Sequence, residues 1–171
     1  KSTPATVLGV YRNYFEIRDT EIEKGRFFTQ RDIDNQKKVA VLGAEIAGKI
    51  FGENESLGKN VKIGTTTFKV IGVAEEKSSE FDEQVFGPYT TASYSLIGSK
   101  DPSQIAIKVK DEKFIDATAI KIEDTLEGFY NIYDEDKRNF SVFTSKDILS
   151  LTSTITGIFT TLLASIASIS L

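Results

Sequence analysis

The sequence predicts an α+β chain of two lobes followed by a long uncharged helix. Three observations carry this reading. Short β-type runs and turn signals fill residues 33–98. Between Asp111 and Phe129 apolar residues recur at helical spacing, with an alternating segment before them and a short β-type run, Phe140–Phe143, after. After Asp147 no charged residue occurs.

Val7, Leu8 and Val10 begin an extended run over Val7–Ile17 that continues into Tyr11, Tyr14 and Phe15. Gly25-Arg26-Phe27-Phe28 leads into Thr29-Gln30-Arg31-Asp32, a turn or short helical start in which Arg26 and Asp32 pair with each other or with neighbours. A strand at Val39–Leu42 breaks at Gly43. Ala44–Phe51 then forms a short helix, its Ile46/Ile50 and Ala47/Phe51 pairs each one turn apart, and Gly52 ends it. Asn60–Ile63 and Thr67–Val73 read as a hairpin joined by Gly64-Thr65-Thr66. The acidic stretch Glu75–Glu83 is a loop, and Tyr89–Ile97 after Gly87-Pro88 is a further strand or extended segment. Gly25, Gly43, Gly58 and Gly72 serve turns or close backbone approach, and Val39, Val41, Val70, Ile71 and Val73 belong to the core.

From Gln104 the pattern changes. Ile105, Ile107 and Val109 alternate with Ala106, Lys108 and Lys110, as in a half-buried strand. Asp111 is an N-cap for a helix whose Ile115, Ala119, Ile122, Leu126 and Phe129 step by four and three. Phe140–Phe143 forms a last strand, so residues 104–144 read as one β-α-β unit.

The 24 residues from Ile148 to Leu171 comprise thirteen Ile, Leu, Phe or Ala, ten Ser or Thr, and one Gly. Leu151, Ile155, Ile158, Leu162, Ile166 and Ile169 fall on one stripe. A soluble surface helix carries Lys or Glu on its wet face, and this one carries none. An uncharged stretch longer than about 18 residues reads as the start of a membrane-spanning helix. Its hydroxyls suit close helix packing in lipid or bonding back to backbone carbonyls.

Composition removes several function classes. There is no Cys and no His, hence no thiol nucleophile, no thiolate zinc site and no Ser-His-Asp triad. The net charge of −4 comes from interspersed signs, which disfavours nucleic acid as a partner. The run GRFFTQRD lacks the glycines and the Gly-Lys-Ser/Thr of a nucleotide loop. Glu75, Glu76, Glu80, Asp82 and Glu83 offer oxygen ligands but lack EF-hand spacing and read as a solvated loop. No carboxylate pair is singled out for glycoside hydrolysis. No catalytic residue, metal ligand or cofactor contact is therefore assigned. The densest aromatic group, Tyr11, Tyr14, Phe15, Phe27 and Phe28, is either core or a contact for a partner or transported molecule. The start, Lys1-Ser2-Thr3-Pro4, lacks a signal-peptide apolar run, so export of the domain would depend on something upstream.

GRFFTQRDI, KKVAVLGAEIAGKIFG, SLGKNVKIGTTTFKVIGVAEE and GPYTTASY follow one another, after YRNYFEI, in an order that resembles the extracytoplasmic (periplasmic core) domain of MacB/FtsX-type ABC transporter permeases. The likeness covers residues 7–97 and resumes in LLASIASISL, which is similar to the opening of the family's second transmembrane helix. It implies a two-lobed domain between the first two of four membrane helices. Residues 1–32 would be the remainder of the first membrane-proximal unit, 33–98 an inserted mixed α/β lobe, 104–147 the second β-α-β unit of the membrane-proximal lobe, and 148–171 the start of a transmembrane helix. The family's first membrane helix and first β-α portion would precede Val7. It further implies a non-catalytic domain on the outer side of the cytoplasmic membrane, and an ABC ATPase subunit or domain as partner. A permease dimer and a membrane-fusion adaptor protein are also implied, as is contact with membrane lipid through the C-terminal helix. A soluble protein-binding adaptor module using the β-rich lobe is the alternative, and a glycine-rich apolar continuation after Leu171 would favour the permease.

Overall fold

The computed structural model describes residues 2–52, 54–99, 101–132 and 134–169. Thr6–Val10 forms β1, Tyr14–Ile17 the single turn α1, Ile22–Gly25 β2 and Gln30–Asp34 α2. Val39–Leu42 is β3, Ala44–Phe51 α3, Asn60–Ile63 β4 and Thr66–Ala74 β5. Ser79–Asp82 is α4, Gln84–Pro88 β6 and Tyr89–Ala92 α5, which continues into a π turn over Ser93–Ile97. Ile115–Tyr130 is α6 and Ser145–Ile169 is α7. Ser170 and Leu171, the end of the uncharged tail, lie outside the described residues. The chain divides into two compact units, Lys1–Ile107 and Lys108–Leu171.

In the first unit the strands run in the order β1-β6-β3-β5-β2, with β4 also paired to β5. The sheet is mixed: β1 is parallel to β6 and β3 to β5, while β3–β6, β2–β5 and β4–β5 are antiparallel. It takes strands from both sides of residue 32, so segment 1–32 shares one sheet with the strands of 33–98. The two-residue periodicity of β3 sends alternate side chains to opposite faces. Val39 and Val41 join a cluster with Phe15, Phe28, Ile33, Phe81 and Phe86, while Ala40 and Leu42 join one with Ile46, Phe68, Val70 and Val85. β3 is buried on both faces, which is why VAVL reads as an unbroken apolar run. Of the five residues expected in the core, Val39, Val41, Val70 and Val73 are buried and Ile71 packs partly buried against the first cluster.

Two glycines are fixed by close approach. A Cβ on Gly43 would lie 2.3 Å from the Asp82 carbonyl oxygen, and one on Gly72 2.5 Å from that of Arg26. The β4–β5 hairpin pairs Ile63 with Thr66 across Gly64, whose φ of +57° suits a residue without a Cβ.

Several expectations are corrected. The extended run from Val7 stops at Val10, and Tyr14–Ile17 is a helical turn. The loop at 75–83 contains α4, capped by the Ser78 hydroxyl, which accepts from the Phe81 N–H. Tyr89–Ile97 is helical. The strand precedes it as β6, because Gln84–Pro88 occupies the ladder between β1 and β3 and Pro88 closes it. The hydroxyls of Thr90 and Thr91 then turn inward to the carbonyls of Ile33 and Lys37.

In the second unit Asp111 caps a 3-10 turn, Glu112–Phe114, that feeds α6. The two strands expected around this helix are not formed. Residues 104–110 and 140–143 belong to no strand, no ladder pairs with them among the described residues, and Ile105 is 65% exposed. An alternating pattern marks a face suited to a sheet, and it becomes a strand only when a neighbour satisfies its backbone.

Candidate functional site

The aromatic group near the N-terminus is divided by the fold. Phe15 and Phe28 are buried, and Tyr14 and Phe27 are packed against the same cluster. The Phe15 ring centroid lies 4.3 Å from that of Phe27, 5.5 Å from Phe81 and 5.0 Å from Phe86, the last pair edge to face. These four hold the sheet to α1 and α2. Tyr11 alone of the five is open to solvent, 54% exposed, and stacks on Tyr89 at 4.7 Å with planes 21° apart. The pair continues the parallel register of β1 and β6, one residue beyond Val10 and Pro88. Tyr89 was not legible as a member, because its position depends on the β1–β6 pairing.

Beside this group lies the densest polar node of the first unit. Asp32 is fully buried, and its carboxylate receives Arg26 Nη1 at 2.7 Å and Lys37 Nζ at 2.8 Å. The Thr29 N–H and hydroxyl also donate to it, at 2.9 and 2.7 Å, and the Asp32 N–H returns a bond to the Thr29 hydroxyl, completing a capping box. Burial works against the charged carboxylate, but the bonds from Arg26, Lys37 and Thr29 outweigh it and hold the pKa well below the usual carboxylate range. Thr29-x-x-Asp32 carries the capping signal in sequence, whereas Lys37 had none. Both oxygens of Asp32 are engaged, Oδ2 by Arg26 and Thr29 and Oδ1 by Lys37, so the node braces β2, α2 and the approach to β3.

The acidic loop is organised in the same manner. Asp82 accepts from the Lys77 N–H at 3.0 Å, and Lys77 Nζ reaches the carbonyls of Arg18 and Asp19 and the Thr20 hydroxyl. Lys49 bridges Glu45 and Glu83, which holds the Glu83 pKa below its ordinary value. A cleft of about 460 Å³ at the start of α3, lined by Glu45, Glu76, Lys77 and Asp82 among others, is bounded by these engaged groups. Among the described residues no group of three acidic side chains is placed to hold a metal ion.

The other functional feature is α7. Its window Ser145–Ile166 spans 22 residues with mean hydropathy 1.5, none of it buried within the protein. At 1.5 Å per residue that is roughly 33 Å, against a hydrocarbon core of about 30 Å. The helix starts sharply: Thr144 N–H and hydroxyl donate to Asp147 Oδ2 at 2.8 and 2.7 Å, and the Asp147 N–H bonds back to the Thr144 hydroxyl. Along it, the hydroxyls of Thr152, Thr154, Thr156, Thr160, Thr161 and Ser165 each bond to the carbonyl four residues earlier, at 2.8–3.0 Å. A hydroxyl satisfied this way no longer needs water, so the polar content of the tail does not oppose an apolar environment.

The family model described as the MacB-like periplasmic core domain matches residues 1–125. The macrolide export ATP-binding/permease protein MacB of Bdellovibrio bacteriovorus is 30% identical over 176 residues, covering 100% of this chain and 27% of that protein. The protein of the same name from Marinobacter nauticus is 35% identical over 162 residues, 90% of this chain and 24% of that protein. The chain thus spans about a quarter of the length of the curated relatives it matches. In fold it is similar to the periplasmic region of MacB from Actinobacillus actinomycetemcomitans, with TM-score 0.69 and 23% identity over 86% of this chain and 64% of that one. It is also similar to the extracellular domain of the noncanonic ABC-type transporter YknZ from Gram-positive bacteria, with TM-score 0.64 and 24% identity over 73% of this chain and 64% of that one.

Proposed function

The chain belongs to the MacB-like periplasmic core domain family, and from that premise we propose that it is the outward-facing domain of an ABC-type export permease, held in the cytoplasmic membrane by α7. The domain performs no chemistry of its own. ATP is hydrolysed by a partner ATPase domain or subunit, and α7 passes the resulting motion to the domain outside, which acts on cargo or on an extracytoplasmic partner. A second permease copy and a membrane-fusion adaptor complete the assembly. The names of the relatives, which join ATP binding to a permease, support the pairing with an ATPase.

The observation that carries this reading is α7, an apolar span of sufficient length, uncharged from Ile148 onward, with six of its hydroxyls bonded back to its own backbone. A buried catalytic centre is unnecessary for such a role, and the polar groups of the first unit are spent on bracing: Asp32 on Arg26 and Lys37, Lys77 on the α1 carbonyls. A relay gains from such stiffness, since a braced lobe moves as a body. Tyr11, presented on Tyr89 at the end of β1, is the member of the aromatic group available to a partner.

The test compares the chain through Leu171 with one ending at Asp147. The longer form is expected to leave membranes only in detergent and the shorter to be soluble in buffer. Free solubility of both would sink the membrane placement.

A further inference from the structure

Resting on the reading that α7 enters a membrane, we infer that Phe114 and Phe143 form an aromatic anchor that seats the second unit in the interfacial layer of the bilayer, where glycerol and ester carbonyls meet the acyl chains. Phe143 is 73% exposed and stands two residues before the first residue of α7. Two residues of chain span at most about 7 Å, so this ring cannot lie far from the level at which the helix leaves water. Phe114 is distant in sequence but is brought to the same level by a second contact. Lys146 Nζ, in the first turn of α7, bonds to Asp116 Oδ2 at 2.7 Å, in the first turn of α6. Phe114 precedes that aspartate by two residues and is 52% exposed. Two large rings without cover within the unit are thus tied, one by the chain and one by an ion pair, to the start of the membrane helix.

The neighbouring charges identify which part of the bilayer fits. Lys113 lies over the Phe114 ring at 4.9 Å and is also paired with Asp111 at 2.8 Å, while Lys146 is paired with Asp116. Lys113 and Lys146 each have their own carboxylate, and over 108–116 and 145–147 the charges balance, Lys108, Lys110, Lys113 and Lys146 against Asp111, Glu112, Asp116 and Asp147, so the patch has no surplus charge for anionic headgroups. Aromatic rings with polar groups close by partition to the bilayer interface, which is apolar on one side and hydrated on the other. The occupant is therefore the interfacial layer of a zwitterionic bilayer, and anionic lipid is not required.

The sequence contains no Trp, so a single Trp reports one position. The whole chain carrying Phe114→Trp, Phe143→Trp or, as a reference within the span, Phe159→Trp is reconstituted in phosphatidylcholine vesicles with and without acyl-brominated phosphatidylcholine. The expected result is blue-shifted emission and bromine quenching for all three variants, with the Phe114 and Phe143 positions quenched more by bromines high in the acyl chain than by bromines near its end. Adding phosphatidylglycerol should leave this unchanged. Quenching of the Phe159→Trp variant without quenching at both aromatic positions overturns the anchor and leaves the membrane helix standing. No quenching in any variant overturns the anchor together with the membrane reading. Quenching at Phe114 and Phe143 only when phosphatidylglycerol is present overturns the neutral interface.

Discussion

The Arg26 guanidinium lies 2.7 Å from Oδ2 of Asp32, a carboxylate with no solvent exposure in a chain segment otherwise rich in charge. Removing the carboxylate strands two cations and unsatisfies the first turn of α2. Breaking a fully buried pair costs about 3–5 kcal/mol. Arg26 and Lys37 are each half exposed, so the expected cost of Asp32→Ala is about 2–3 kcal/mol. Denaturant unfolding of the chain in mild detergent checks this, and a midpoint equal to that of the parent would show that the node is not a brace.

The same carboxylate sets a pH dependence. Its pKa in the folded state is depressed, while in the unfolded chain it is near the ordinary value of about 3.9. The unfolded state then binds the extra proton first as pH falls. The stabilisation is fully present above the unfolded value and is lost progressively from about pH 5 downward. Asp32→Asn is therefore expected to have a flatter acid limb, with the difference between parent and variant largest near neutrality and shrinking below about pH 4. A constant difference down to acid pH would rule out linkage through Asp32.

Two glycines separate close packing from mere presence. At Gly43 a methyl group would meet the backbone of Asp82, and Gly43→Ala is expected to destabilise by about 1–3 kcal/mol through forced displacement of α4. At Gly48 nothing lies within 4 Å of the added carbon, and the residue sits inside α3. Gly48→Ala is expected to stabilise by about 0.5–1 kcal/mol by restricting the unfolded chain. Thermal melts of the two variants should move in opposite directions; parallel shifts would contradict the packing described.

Much of the first unit was legible because its signals are local. VAVL is an apolar run bounded by glycine, the helical pairs of α3 recur at four, and Gly64 marks a hairpin. The misreadings occur where a partner decides. Tyr89–Ile97 has as much β character as Gln84–Pro88, and only the pairing of β6 with β1 and β3 assigns the strand to one and the helix to the other. Ile105 and Ile107 have the alternation of a strand without a ladder. For the candidate site, composition identified the aromatic group but could not separate the buried Phe15 from the exposed Tyr11, since Phe15 is turned into the core by α1 whereas Tyr11 lies just past the end of β1, stacked on Tyr89.

That separation is itself testable. Phe15 packs with four other rings, Tyr14, Phe27, Phe81 and Phe86, and Phe15→Ala is expected to cost about 3–5 kcal/mol. Tyr11→Ala forfeits one exposed stack on Tyr89 and should cost less than about 1 kcal/mol. Should Tyr11→Ala prove as damaging to the unfolding midpoint as Phe15→Ala, Tyr11 would be a structural residue and not one available to a partner.

The tail gives the last contrast, between a charge and a hydroxyl on the same helix. Ile155 lies ten residues into α7, roughly 15 Å along its axis, which under the proposed membrane placement brings it towards the middle of a hydrocarbon core about 30 Å thick. Replacing Ile by Lys at the centre of an inserting helix costs about 3–4 kcal/mol of insertion free energy. At the next residue, Thr156 has its hydroxyl bonded to the Thr152 carbonyl at 2.9 Å, and removing it leaves the backbone bond of the helix in place. Alkaline extraction of membranes should therefore release Ile155→Lys in part while Thr156→Val stays with the pellet. Release of neither would mean that α7 is held by something other than the apolar core of the bilayer. Release of both would mean that the Thr156 hydroxyl contributes to holding α7 in place.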